Sequence, residues 1–132
     1  MPQENVAVVR RAYEAFNRRD LPAALDVFDS DAEWIPYLAG LEETAYRGRD
    51  EIATMWGEVL RDFSAFRVEV LEVLDLGDTV VLEVTFHGIG RGSGADAHTT
   101  ISQVVSFRDG KVVRVHGFRD RAEALEAVGL SE

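Results

Sequence analysis

The chain has 132 residues, 46% of them hydrophobic, and carries 24 acidic against 14 basic side chains for a formal net charge of -10. That length suits one core and a single domain over 1–132, and so acidic a surface repels phosphate backbones, which excludes nucleic acid as an expected partner. The absence of cysteine excludes disulfides, thiolate metal sites and a cysteine nucleophile; the short apolar runs and the lack of a basic leader make a cytoplasmic protein with no membrane partner the expectation.

Val6, Val9, Tyr13 and Phe16 recur at helical spacing, which predicts an amphipathic helix over 4–18 with Arg10, Arg11, Glu14 and Arg18 on its outer side. Asp20 suits the N-cap of a second helix that tolerates Pro22 in its first turn and buries Leu21, Leu25 and Phe28. Asp29-Ser30-Asp31 ends that helix, and 32–38 reads as a strand with Trp34, Pro36 and Leu38 on one face. Pro36 lacks a ladder donor and belongs at an edge or a strand end. A loop over 39–47 leads to a third helix starting near Arg49-Asp50, striped by Ile52, Trp56, Val59, Leu60 and Phe63.

The second half reads as strands. A less regular one covers 66–74, and Gly77-Asp78 turns the chain into a cleaner one, where Val80, Leu82, Val84 and Phe86 alternate with Val81, Glu83, Thr85 and His87. A glycine-rich hairpin loop separates it from a strand over 97–107, and the turn Arg108-Asp109-Gly110 joins that to its partner over 111–118. Asp120 with Glu123 forms a capping box for a final helix over 121–128, ended by Gly129. Helices followed by a curling antiparallel sheet give an α+β fold: a cone-shaped, strongly curved sheet packed against N-terminal helices, with an apolar hollow that suits a small apolar organic ligand.

Strand parity sends Trp34, Leu82, Val84, Phe86, Thr99, Ile101, Gln103, Val105, Val113, Val115 and Arg119 toward that hollow. Arg119 either clamps an oxyanion or lies at the mouth paired with Asp120 or Glu123. Tyr13, Tyr46 and Trp56 either put polar tips at the wall or serve as plain core. His87 and His116 fall on the outer face and His98 is out of phase with the lining, so the three do not converge as metal ligands, and no metal or cofactor is expected. The run Gly90-Arg91-Gly92-Ser93-Gly94-Ala95 imitates a dinucleotide fingerprint but joins strand to strand, which makes it a hairpin loop or a lid.

Ala15-Phe16-Asn17-Arg18-Arg19-Asp20-Leu21, Asp31-Ala32-Glu33-Trp34, Tyr46-Arg47-Gly48-Arg49-Asp50-Glu51-Ile52, Asp109-Gly110-Lys111-Val112-Val113 and Ala122-Glu123-Ala124-Leu125-Glu126-Ala127 resemble the SnoaL-like branch of the nuclear transport factor 2-like superfamily. The resemblance implies a cystatin-like cone with an apolar cavity and, commonly, a homodimer through the outer sheet face. Relatives include polyketide cyclases, ketosteroid isomerases and limonene-epoxide hydrolases. The isomerases' catalytic carboxylate falls at Pro36, their tyrosine at Ala12, one residue before Tyr13, and their protonated aspartate at Gln103. The cyclases' and hydrolases' late aspartate falls at Gly117, and the hydrolases' Arg and Asp fall near Val84 and Phe86.

Two readings follow. In one, the chain is a small-molecule pocket protein, an isomerase, cyclase or hydrolase of an apolar metabolite working by positioning and hydrogen bonds. In the other, it is a non-catalytic ligand-binding or dimerisation module without the family's carboxylates. The expected ligand contacts are Tyr13, Trp34, Tyr46, Trp56, Val84, Phe86, Thr99, Gln103, Val115 and Arg119.

Overall fold

A computed structural model describes residues 4–37 and 45–130. The chain forms α1 (Glu4–Asn17), α2 (Leu21–Leu25), β1 (Phe28–Ile35), β2 (Tyr46–Arg47), α3 (Gly48–Asp62), β3 (Phe63–Asp75), β4 (Thr79–Gly90), β5 (Asp96–Arg108), β6 (Lys111–Phe118) and α4 (Arg121–Ala127). The six strands make one curved, unclosed sheet in the order β2-β1-β6-β5-β4-β3. Its neighbours pair antiparallel except β1 with β6, which run parallel.

Local chemistry sets the helix ends. Arg19, at φ 67°, closes α1 in a left-handed turn: its N–H donates to the Phe16 carbonyl at 2.9 Å, and that of Asp20 donates to the Ala15 carbonyl at 2.8 Å. Asp20 then caps α2 by accepting from the Ala23 N–H at 3.3 Å. At the other end Asp120 accepts from the Glu123 N–H at 3.0 Å, while the Glu123 carboxylate accepts from the Arg119 N–H at 3.2 Å.

The polar ties that hold the helices to the sheet are specific. Asn17 behaves as an extra strand residue, donating to the Val68 carbonyl and accepting from the Val68 N–H, each at 2.8 Å, so the end of α1 is locked to β3. Arg49 at the start of α3 donates through Nε to the Phe28 carbonyl at 2.9 Å, which fixes α3 over the beginning of β1.

Four places differ from the sequence expectation. Phe28 starts β1 instead of ending α2, because its carbonyl is taken by Arg49 and its backbone pairs with Val112 of β6. The short strand β2 lies within the expected loop and pairs with Glu33 and Trp34. β3 leaves α3 without a connector, its first residues kinked by a register shift between Ser64 and Arg67 and by Ala65 at φ 52°. A bulge between β5 and β6 shifts the register after Ser106, so Val112 and Val115 both face the interior and Val113 is displaced from the lining set. Leu38 lies outside the described residues.

The helices α1, α2 and α3 pack their apolar stripes into the concave face. Trp56 is the hub, edge-on to Phe16 at 5.3 Å, Phe28 at 5.8 Å and Trp34 at 5.9 Å between ring centroids. Such contacts contribute about 0.5–1.5 kcal/mol each beyond the area they bury. On the convex face α4 covers Val81 and Val104 with Ala124 and Leu125. Among the described residues no helix is long and apolar enough to cross a membrane.

Candidate functional site

The concave face and the helices do not fill the space between them: a cavity of about 360 Å³ remains. Its wall is aromatic and aliphatic, built from α1 (Val9, Ala12, Tyr13, Phe16), α3 (Met55, Trp56, Val59), the β1 region (Phe28, Trp34, Pro36, Tyr37), and inward-facing residues of the long strands. No Asp, Glu, Lys or Arg of the described chain lines it.

One polar pair lies in this apolar wall. The Tyr13 hydroxyl, carried in by α1, donates to Oε1 of Gln103 on β5. Gln103 is 1% exposed, and among the described residues Tyr13 is its side chain's sole hydrogen-bond partner. Yet no fully buried side-chain nitrogen or oxygen among them is left unsatisfied. The Gln103 Nε2 therefore opens on the cavity, where an acceptor from a ligand or a water can take it. Burial pushes the Tyr13 phenol's pKa upward, and the bond to Gln103 offsets only part of that. The phenol stays protonated and keeps donating its O–H to Gln103 Oε1, so the pair turns an amide N–H donor toward the hollow.

The sequence-predicted contacts divide as follows. Tyr13, Trp34, Trp56, Phe86, Thr99, Gln103 and Val115 line the cavity together. Tyr46 packs against the core without reaching the cavity, and Val84 is fully buried beneath the lining. Arg119 is placed elsewhere: it follows the last residue of β6, is exposed, and pairs with Asp120 at 3.5 Å and Glu123 at 3.1 Å. The inward phase that Val115 and Gly117 keep does not reach Arg119, because β6 ends at Phe118.

Other lining residues escaped the sequence reading. Ala12, Met55 and Val112 line the cavity from positions where apolar periodicity signals packing alone. His98, out of phase with the lining, still reaches the mouth, and its ring stacks on that of His87 at 6.4 Å. His87 in turn lies 3.0 Å from a Glu69 carboxylate oxygen on the convex face. No group of three or more His, Cys, Asp or Glu suited to a metal ion occurs among the described residues. The hairpin tip after β4 is tied down to α3, with the Arg91 N–H on the Asp62 carbonyl at 3.1 Å and its guanidinium on the Leu60 carbonyl at 3.3 Å. It does not line the cavity.

Two of the positions at which the resemblance implies a carboxylate carry Pro36 and Gly117. Pro36 lines the wall just past β1, and Gly117 lies on β6 beneath the Tyr37 backbone. A Cβ at Gly117 would sit 2.8 Å from the Tyr37 nitrogen and 3.3 Å from its Cβ.

The SnoaL-like domain model matches residues 9–115, from the cavity side of α1 to the inward Val115 of β6. The chain belongs to the SnoaL-like domain family. Curated proteins give no match to it. Among solved structures it is similar to an NTF2-like protein of unknown function from Burkholderia pseudomallei, with 27% identity, 93% of this chain and 95% of that one covered, and a TM-score of 0.77. A putative SnoaL-like polyketide cyclase from Jannaschia shares the fold at 19% identity, 89% and 86% coverage and a TM-score of 0.78. TerC, co-crystallised with polyporic acid, shares it at 23% identity, 96% and 98% coverage and a TM-score of 0.76.

Proposed function

We propose that this SnoaL-like chain binds a small, uncharged, mostly apolar molecule inside the cone and hydrogen-bonds a carbonyl or similar acceptor through the Gln103 amide. The observation that carries the reading is the Gln103 Nε2, enclosed in an apolar wall with no partner from the described protein. Because Nε2 opens on the cavity, a ligand acceptor there gains the net value of one hydrogen bond, about 0.5–1.5 kcal/mol. The aromatic wall favours a flat or ring-containing body. A cavity above roughly 300 Å³ is within the range of small-molecule sites.

Two versions of this reading remain, a binder and an enzyme. The absence of Asp, Glu, Lys and Arg from the described lining, with His98 only at the mouth, favours binding or sequestration. The likeness in fold to putative polyketide cyclases favours an isomerase, cyclase or hydrolase that works by orienting and polarising its substrate.

Both tryptophans line the cavity, so their fluorescence reports occupancy. Calorimetric titration with naphthalene and with methyl naphthyl ketone should show a preference for the ketone, which Gln103→Leu reduces about five- to tenfold, the equivalent of one net hydrogen bond. Equal affinity of the two compounds, or an equal loss of both in the variant, refutes the anchor. Turnover of a ketone, lactone and epoxide panel separates the enzyme from the binder.

A further inference from the structure

The strand that supplies Gln103 also runs out of the cavity, and its inward side chains grade from water to interior. Ala97 and Thr99 are exposed, Ile101 is 7% exposed, and Gln103 is 1% exposed, yet all of them line the same cavity. On β4, Gly88 lies opposite Ala97 and half-buried Phe86 opposite Thr99 toward the mouth, with buried Val84 opposite Ile101 and buried Leu82 opposite Gln103 inside; Gly88 is itself buried. Phe63 and Phe66 pack over Gly88, where a Cβ would meet them at 3.1–3.2 Å, so the absent side chain makes room for the aromatic rim. β5 is thus a ruler laid along the cavity. From Thr99 to Gln103 it measures about 13 Å, four residues at strand rise.

We propose that the ligand lies along β5 with its acceptor at Gln103 and its opposite end at Thr99. The class this selects is an elongated apolar molecule, about two or three fused rings by the strand-rise measure, whose ionic or strongly polar substituent is at the end remote from the acceptor. The inference rests on the pocket reading above and adds an orientation and a charge rule to it. The charge rule comes from the wall: an anion beside Gln103 loses its water and finds no Lys or Arg among the described lining residues, and His98 lies at the mouth. At Thr99 the same charge keeps its hydration.

The test uses methyl naphthyl ketone and two carboxylate derivatives of it, one on the ring far from the ketone and one beside it. The far-end carboxylate should bind within a few-fold of the parent, and the near-end isomer at least about tenfold more weakly, as expected for an unpaired buried charge. Measured relative to the uncharged ketone in the same variant, Thr99→Glu should weaken the far-end carboxylate about five- to tenfold and Thr99→Lys should strengthen it several-fold, both effects shrinking in high salt. Circular dichroism confirms that the variants fold, as an exposed strand position permits. Equal binding of the two isomers, or Thr99 variants that shift all ligands alike, overturns the orientation. If the ketone binds and the far-end carboxylate is excluded, the orientation fails and the pocket reading stands; if the ketone itself fails to bind, both fall.

Discussion

The Tyr13–Gln103 bond makes a quantitative prediction about stability as well as binding. Tyr13→Phe keeps the ring against the helix wall and removes one hydroxyl, leaving Gln103 Oε1 without its partner at a position 1% exposed. An orphaned buried acceptor costs about 1–3 kcal/mol. Gln103→Leu removes the amide but leaves the Tyr13 hydroxyl unpaired, at a similar cost less what the apolar side chain recovers. With both changes together nothing polar is left unpaired, and the double variant should lie close to the wild type. The cycle therefore predicts a coupling of at least about 1 kcal/mol, with the double variant more stable than the sum of the single losses implies. Urea unfolding at neutral pH measures it through the midpoints at constant slope. Additivity within about 0.5 kcal/mol would mean that the two groups do not share a bond in solution, and the polar anchor would be lost with it.

Three further outcomes follow from the same geometry. Because burial raises the Tyr13 pKa above its ordinary value of 10.0, its contribution to stability is complete below that pH and is lost as pH rises past it; the unfolded chain ionises first. Wild type should lose up to about 1.4 kcal/mol per pH unit more than Tyr13→Phe above that point, and equal slopes from urea midpoints in alkaline buffers would remove the argument. Gly117→Ala pushes a Cβ to within 2.8 Å of the Tyr37 nitrogen, a backbone atom that cannot swing aside, and should cost about 1–3 kcal/mol in the same assay; an unchanged midpoint contradicts the close approach. Arg119→Ala removes exposed ion pairs to Asp120 and Glu123, so it should cost under about 1 kcal/mol and leave ketone affinity unchanged. A drop in affinity would return Arg119 to the site.

The fold was legible wherever one residue type had one structural solution. Alternation from Val80 to His87 predicted a half-buried strand, and Asp20 and Asp120 ahead of apolar helical runs could be read as caps; the structure bears out the strand and both caps, but buries Val81 and Thr85 of the outer face as well. Failures cluster where a long-range contact decides. Nothing local distinguishes Phe28 as a helix end from Phe28 as a strand start, since Arg49, 21 residues away, takes its carbonyl. Parity counting worked along β4 and β5 and broke on β6, because the bulge opposite Phe107 carries no marker such as glycine in the strand. The Tyr13–Gln103 bond spans 90 residues, and each partner taken alone reads as wall or as core.

The cavity also limits what chemistry the chain can perform. At Gly117 a carboxylate cannot be installed without moving the Tyr37 backbone, because any Cβ there meets the Tyr37 nitrogen at 2.8 Å. Pro36 contributes a non-titrating pyrrolidine ring to the wall. What remains inside is an amide donor, steadied by a phenol that does not ionise in the ordinary pH range. Such a donor stabilises developing negative charge on a carbonyl oxygen, and the loss of one comparable donor elsewhere costs roughly 100- to 1000-fold in rate. It cannot accept a proton. Among the described lining residues the base for any turnover is therefore His98 at the mouth, the ligand itself or water entering past Thr99, and the rate should depend on Gln103 while showing no ionisation of a buried carboxylate in its pH profile. A pH–rate curve with an essential base titrating at about 4–6 would place a carboxylate at the reacting atoms and overturn this account.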